Sequence, residues 1–138
     1  MTAWRFHYGI ALSKTGRVSD MQQDPIDLSQ LDDLLAGAGD VNDILHELLT
    51  QSRIDLVELE NALGKQDIPE VVRVAHRIKG AGRMVGANQL ASICEAMEQE
   101  GKQGRLKFEA EAKSELMRLL AWLDARLNPA TSARTANA

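Results

Sequence analysis

From Asp27 to Leu127 apolar residues recur every three or four positions, and this spacing predicts helices along the whole stretch. Asp27 with Gln30 reads as a capping box opening a short helix whose apolar face carries Leu28, Leu31, Leu34 and Leu35, with Gly37 and Gly39 ending it. A long helix then runs from about Val41 to Leu63, with Leu45, Leu48, Ser52, Leu56, Leu59 and Leu63 on one stripe and Gly64 closing it. Asp67 and Glu70 flank Pro69 in the first turn of a third helix, which should finish near Gly86. A fourth starts around Ala87 and buries Leu90, Ile93, Cys94 and Met97 before a break at Gly101 to Gly104. The last carries Ala112, Leu116, Leu119, Leu120, Leu123 and Leu127 and is stopped by Asn128-Pro129. Four substantial helices with short connections predict an all-α, up-and-down four-helix bundle, the short first helix capping one end.

The ends break the pattern. Trp4, Phe6, Tyr8 and Ile10 alternate at a period of two, which suits a short extended arm, but no second strand pattern exists to pair with it. Residues 1–26 are therefore expected to be a flexible leader, with Ser13 to Pro25 as linker, residues 27–128 the bundle, and residues 129–138 a disordered tail of small and polar residues. The 138 residues suffice for one core and not for two.

Composition excludes more than it suggests. A formal net charge of −4 leaves no basic surface for nucleic acid in general. Cys94 is the one cysteine, so no internal disulfide forms, and no Cys/His cluster has metal-ligand spacing. No metal and no cofactor is expected. Apolar runs fall short of the roughly 20 residues that span a bilayer, and no secretory signal opens the chain. A cytoplasmic, monomeric protein is the expectation.

Chemistry concentrates in His76-Arg77-Ile78-Lys79-Gly80-Ala81-Gly82-Arg83-Met84-Val85-Gly86. On a helical wheel of about 100° per residue, Val71, Val74, Ala75, Ile78 and Val85 lie opposite His76, so the imidazole points outward. Lys79, Gly80 and Arg83 fall within roughly 60° of it. Neutral imidazole is a good nucleophile near neutral pH and can attack phosphorus and later leave. Lys79 supplies a mobile charge and Arg83 a planar fork of donors. Glycine inside a helix costs about 1 kcal/mol relative to alanine, so Gly80 needs a reason, and a close backbone approach by a partner is one. Val72 and Met84 are placed near the same outer face as apolar docking residues, or else are partly buried against neighbouring helices.

The run resembles the signature of histidine-containing phosphotransfer domains: His-x-x-Lys-Gly with a second glycine six residues on, here His76, Lys79, Gly80 and Gly86. The resemblance extends through Leu90, Cys94 and Met97-Glu98, and the helical layout fits the family fold. It implies a module that takes a phosphoryl group from a receiver-domain aspartate onto His76 and passes it to another receiver. His76, Lys79 and Gly80 would be the transfer residues and Glu98 and Gly86 further contacts, to which the wheel, not the resemblance, adds Arg83, Val72 and Met84 as contacts to phosphate or partner. Some relatives carry a glutamine 22 residues after the histidine, where this chain has Glu98. A carboxylate there either accepts a proton from one imidazole nitrogen and leaves the other free to attack, or is a surface acid opposing a nearby phosphate.

Two other functions fit parts of the pattern. Sensor-kinase phosphoacceptor helices also carry a histidine, but usually with an acidic residue after it, where Arg77 stands here, and no nucleotide-binding loop is present. A helical interaction module would leave the histidine idle. His7 and His46 have no comparable neighbours, Cys94 shares an apolar stripe with Leu90 and Met97, and Arg73 and Arg77 read as a solvated flank.

Overall fold

The computed structural model describes residues 24–37 and 39–129. The expected leader as far as residue 23, with the alternating stretch from Trp4 to Ile10, and the tail from residue 130 lie outside the described residues. Five helices follow in order: α1 (Leu28–Leu35), α2 (Val41–Gly64), α3 (Ile68–Val85), α4 (Asn88–Lys102) and α5 (Glu109–Leu127), with no strand among the described residues. The aspartates before the first three act as caps: Asp27 accepts from the Ser29 and Gln30 amides, Asp40 from Asn42, and Asp67 from Glu70 beside Pro69.

The four long helices close a ring in which α2 packs on α3 and α5, and α4 on α3 and α5, the arrangement expected of an up-and-down bundle. Leu45, Leu59, Val71, Val74, Ile93, Met97, Leu116, Leu119 and Leu123 fill its centre. Leu49 is buried as well, whereas Leu56, Leu63, Leu120 and Leu127 sit at its margin, so the stripe on α2 is wider than its leucine spacing indicates. Cys94 is fully buried, and burial pushes its thiol up to about 12, which makes it an inert core residue.

Three local expectations need correction. The capping box is only half made: Gln30 does not reach back to Asp27, and its side chain instead donates to the Arg83 carbonyl at 3.0 Å and accepts from Asn88 at 3.3 Å. The linker ends earlier than Pro25, because Pro25 and Ile26 are buried and Ile26 joins the core, while Asp24 accepts a bond from the Trp122 indole at 3.1 Å. Gly101 does not break α4. It lies within the helix, buried, where an added Cβ would run into Val72 of α3.

That contact shows how α3 and α4 come so close. Gly82 faces the Ala87 carbonyl and the Ala91 methyl, and Gly101 faces Val72, so small residues at both ends of the pair let the two helices approach. At the turn between them Gly86 takes φ +79°, and its carbonyl accepts from the Asp27 amide at 2.9 Å. The turn is thereby held by the chain leading into α1.

Candidate functional site

His76 sits midway along α3 with 68% of its side chain exposed, and its Nδ1 lies 3.0 Å from Glu98 Oε2 on α4. Glu98 is the reverse case, a carboxylate only 4% exposed. Burial alone would push its carboxyl up; the Lys79 ammonium, the His76 imidazole and Lys102 outweigh that and hold it down at about 2. The ionised carboxylate can only accept, so the proton of a neutral imidazole must lie on Nδ1, and the lone pair on Nε2. Of the two roles open to Glu98, the geometry matches imidazole partner and not surface acid.

Lys79 departs from expectation. Its side chain is 11% exposed, and Nζ bridges two carboxylates of α4, Glu98 Oε1 at 2.7 Å and Glu95 Oε1 at 2.9 Å. These partners, Glu98 foremost and then Glu95, hold the ammonium above its ordinary value, so it stays charged. The wheel gave its direction but not its partner: leaning 60° off the histidine line places the long side chain in the α3–α4 seam. It shares its charge between Glu98 and Glu95 instead of standing free on the surface. Glu95, drawn down by Lys79 and Gln99, also meets Arg83 at 3.5 Å, and Arg83 itself is 60% exposed.

The other predicted residues divide. Gly80 is exposed, and a Cβ built there meets nothing within 4 Å, so no packing among the described residues requires glycine. Met84 is 61% exposed. Val72 is half-buried with its side chain against Gly101, the packing alternative. Gly86 is buried at the α3–α4 turn, where a Cβ would sit 2.8 Å from the Asp27 carbonyl, so it serves the turn and not the exposed histidine face.

Arg77 corrects the reading of a solvated flank. Its guanidinium bonds Asp55 Oδ1 at 2.9 and 2.7 Å and Glu58 Oε1 at 2.9 Å, tying α3 to α2, and Asp55 is almost wholly buried. Arg73 does remain on an exposed flank, paired with Glu70 and Glu58. Sequence reasoning missed Asp55, Glu95 and Lys102, whose Nζ lies 3.3 Å from Glu98 Oε2 one turn along α4. The i,i+4 spacing of Glu98 and Lys102 was a usable signal; nothing in the sequence linked Asp55 to Arg77. His46 is exposed on α2, away from this cluster.

Among the described residues no group of His, Cys, Asp or Glu could hold a metal ion, and no helix is long and apolar enough to cross a membrane. What the arrangement offers chemically is an imidazole whose Nδ1 meets a buried carboxylate while most of the side chain faces solvent. Comparison with known proteins gave no match among curated proteins and none among solved structures. A family model described as "Hpt domain" matches residues 43–127, well over half of the chain and all four long helices but for the first two residues of α2. With that match over the bundle that presents His76, the chain belongs to the Hpt family, the histidine phosphotransfer modules that work with receiver domains in two-component phosphorelays.

Proposed function

We propose that the protein is a relay intermediate: His76 accepts a phosphoryl group from a receiver-domain aspartate and passes it to a second receiver, with no ATP-dependent kinase activity of its own. The observation that carries this reading is the 3.0 Å contact between His76 Nδ1 and the buried Glu98 carboxylate on an otherwise exposed ring. It leaves Nε2 as the nucleophile. Nε2 attacks the phosphorus of the aspartyl phosphate, an N–P bond forms, the P–O bond to the acyl oxygen breaks, and the aspartate leaves with the electron pair. Transfer onward is the reverse, with a second aspartate as nucleophile.

The receiver docks over the strip from Gly80 to Met84. Gly80 gives clearance, since none of the described residues comes within 4 Å of where a Cβ would stand. Met84 supplies apolar contact and Arg83 a charge at the rim. Lys79 acts through Glu98, fixing the carboxylate that fixes the ring. A bundle closed within one chain supports a monomer, and partnership with receiver domains supports a cytoplasmic location.

Incubation with a phosphorylated receiver domain tests the proposal. The expected product carries label that is stable to base and labile to acid, His76→Gln abolishes it while keeping the helical fold, and ATP with magnesium alone yields none. Label retained in His76→Gln, or autophosphorylation of the pure protein, refutes it.

A further inference from the structure

Glutamine and glutamate at position 98 would hold the His76 ring equally well, since each offers an oxygen to Nδ1. They differ in charge, and the surroundings of Glu98 are built around a charge. Oε1 lies 2.7 Å from Lys79, Oε2 lies 3.3 Å from Lys102, and the side chain is almost closed off from water. A buried carboxylate without such partners would protonate. An amide would need neither lysine.

When Nε2 bonds to phosphorus and Nδ1 keeps its proton, the ring itself becomes cationic. We infer that Glu98 is the counter-charge of that phosphorylated ring, and that it poises the site to retain the phosphoryl group in equilibrium with a receiver aspartate. This rests on the phosphotransfer reading and adds to it a positioning residue that sets the energy of the phosphorylated state. The lysines do not cancel the effect. Lys79 divides its charge between Glu98 and Glu95, at 2.7 and 2.9 Å. Lys102 is 53% exposed, so water screens it. The carboxylate is anchored at 3.0 Å from Nδ1 before the reaction begins and need not reorganise as charge develops.

The test is the ratio of phosphorylated His76 to phosphorylated receiver at equilibrium, approached from both directions, in the full chain and in two variants. Glu98→Gln keeps the shape and the acceptor but loses the charge, and should lower the ratio about tenfold, the effect of one pKa unit. Nitrogen NMR of the imidazole should show Nδ1 still protonated. Lys102→Met frees more of the carboxylate for the ring and should raise the ratio about twofold, in line with a half-exposed pair. A merely structural role for Glu98 would slow the approach from both sides and leave the ratio unchanged. A folded Glu98→Gln with an unchanged ratio overturns the inference, as does a lowered ratio in Lys102→Met, which also carries the test if Glu98→Gln fails to fold. Absence of label on His76 in the parent protein is a different result, and overturns the phosphotransfer reading itself together with this inference.

Discussion

Two glycines of the phosphotransfer signature should respond to alanine in opposite ways. At Gly86, φ is +79°, a left-handed conformation that opposes an L side chain by about 1–2 kcal/mol. A methyl there would also lie 2.8 Å from the Asp27 carbonyl and 3.1 Å from the Asp27 amide nitrogen, so the chain entering α1 must move. Moving it strains the Asp27–Gly86 backbone bond, worth about 0.5–1.5 kcal/mol. The sum, about 1.5–3.5 kcal/mol, corresponds to a melting point lower by about 6–28 °C for a domain of about 100 residues. At Gly80 a methyl meets nothing, and relief of the helix-interior glycine should stabilise by about 1 kcal/mol, raising the melting point by about 4–8 °C. Thermal unfolding followed by circular dichroism measures both, and receiver-to-protein transfer at temperatures where each variant is folded supplies the second axis. Gly86→Ala should retain its rate at saturating receiver. Gly80→Leu, equally well folded, should transfer much more slowly. The reasoning fails if Gly86→Ala melts with the parent protein, or if Gly80→Leu transfers at the parental rate.

Arg77→Met should destabilise the fold by about 3 kcal/mol, because it leaves the buried Asp55 carboxylate without its guanidinium; denaturant unfolding would detect it, and a loss under 1 kcal/mol, near the yield of a surface pair, would contradict the geometry. Glu98 is held at about 2 against an ordinary 4.5, so the stability it contributes is complete above about pH 4.5 and is lost as pH falls towards 2; urea midpoints across that window should drop less steeply in Glu98→Gln. Lys79→Ala should slow transfer by an amount typical of losing a charge-assisted contact, about 1.5–3 kcal/mol, and Arg83→Ala should weaken receiver binding in a salt-dependent way with little change in the saturated rate. Stopped-flow transfer at two ionic strengths separates the two, and equal losses of saturated rate would mean that Arg83 acts on the transfer step and not on docking alone.

Helix order and the outward face of His76 were legible because both depend only on a period near 3.6 and on caps. The same wheel misjudged Lys79 and Arg77, and for one reason. An angle fixes where a side chain leaves its helix, whereas a chain of four or more bonds ends wherever an opposite charge waits on the neighbour. Glu95, Glu98 and Asp55 belong to other helices, at separations of 16, 19 and 22 residues from their partners, and nothing local announces them. Gly101 was misread for a related reason: glycine looks like a break until the facing helix supplies a residue, Val72, that needs the space. Gly80 was read as clearance because a helix-interior glycine beside the histidine needs a reason, and the lack of any described residue within 4 Å of a Cβ there agrees.

The clip between α1 and the α3–α4 turn bears on where this domain can be cut. A helix leaves its last carbonyls without internal partners, and in α3 the Arg83 carbonyl is taken by the Gln30 side chain, while the Gly86 carbonyl just beyond it is taken by the Asp27 amide. Both donors precede residue 43, where the family match starts. A fragment trimmed to the matched residues would still contain His76 and the four long helices, yet its α3 would fray from the end that carries Arg83 and Met84. A fragment that keeps both donors, together with Asp24, whose carboxylate accepts from the Trp122 indole on α5, should therefore hold that end of α3 better than one trimmed to the matched residues.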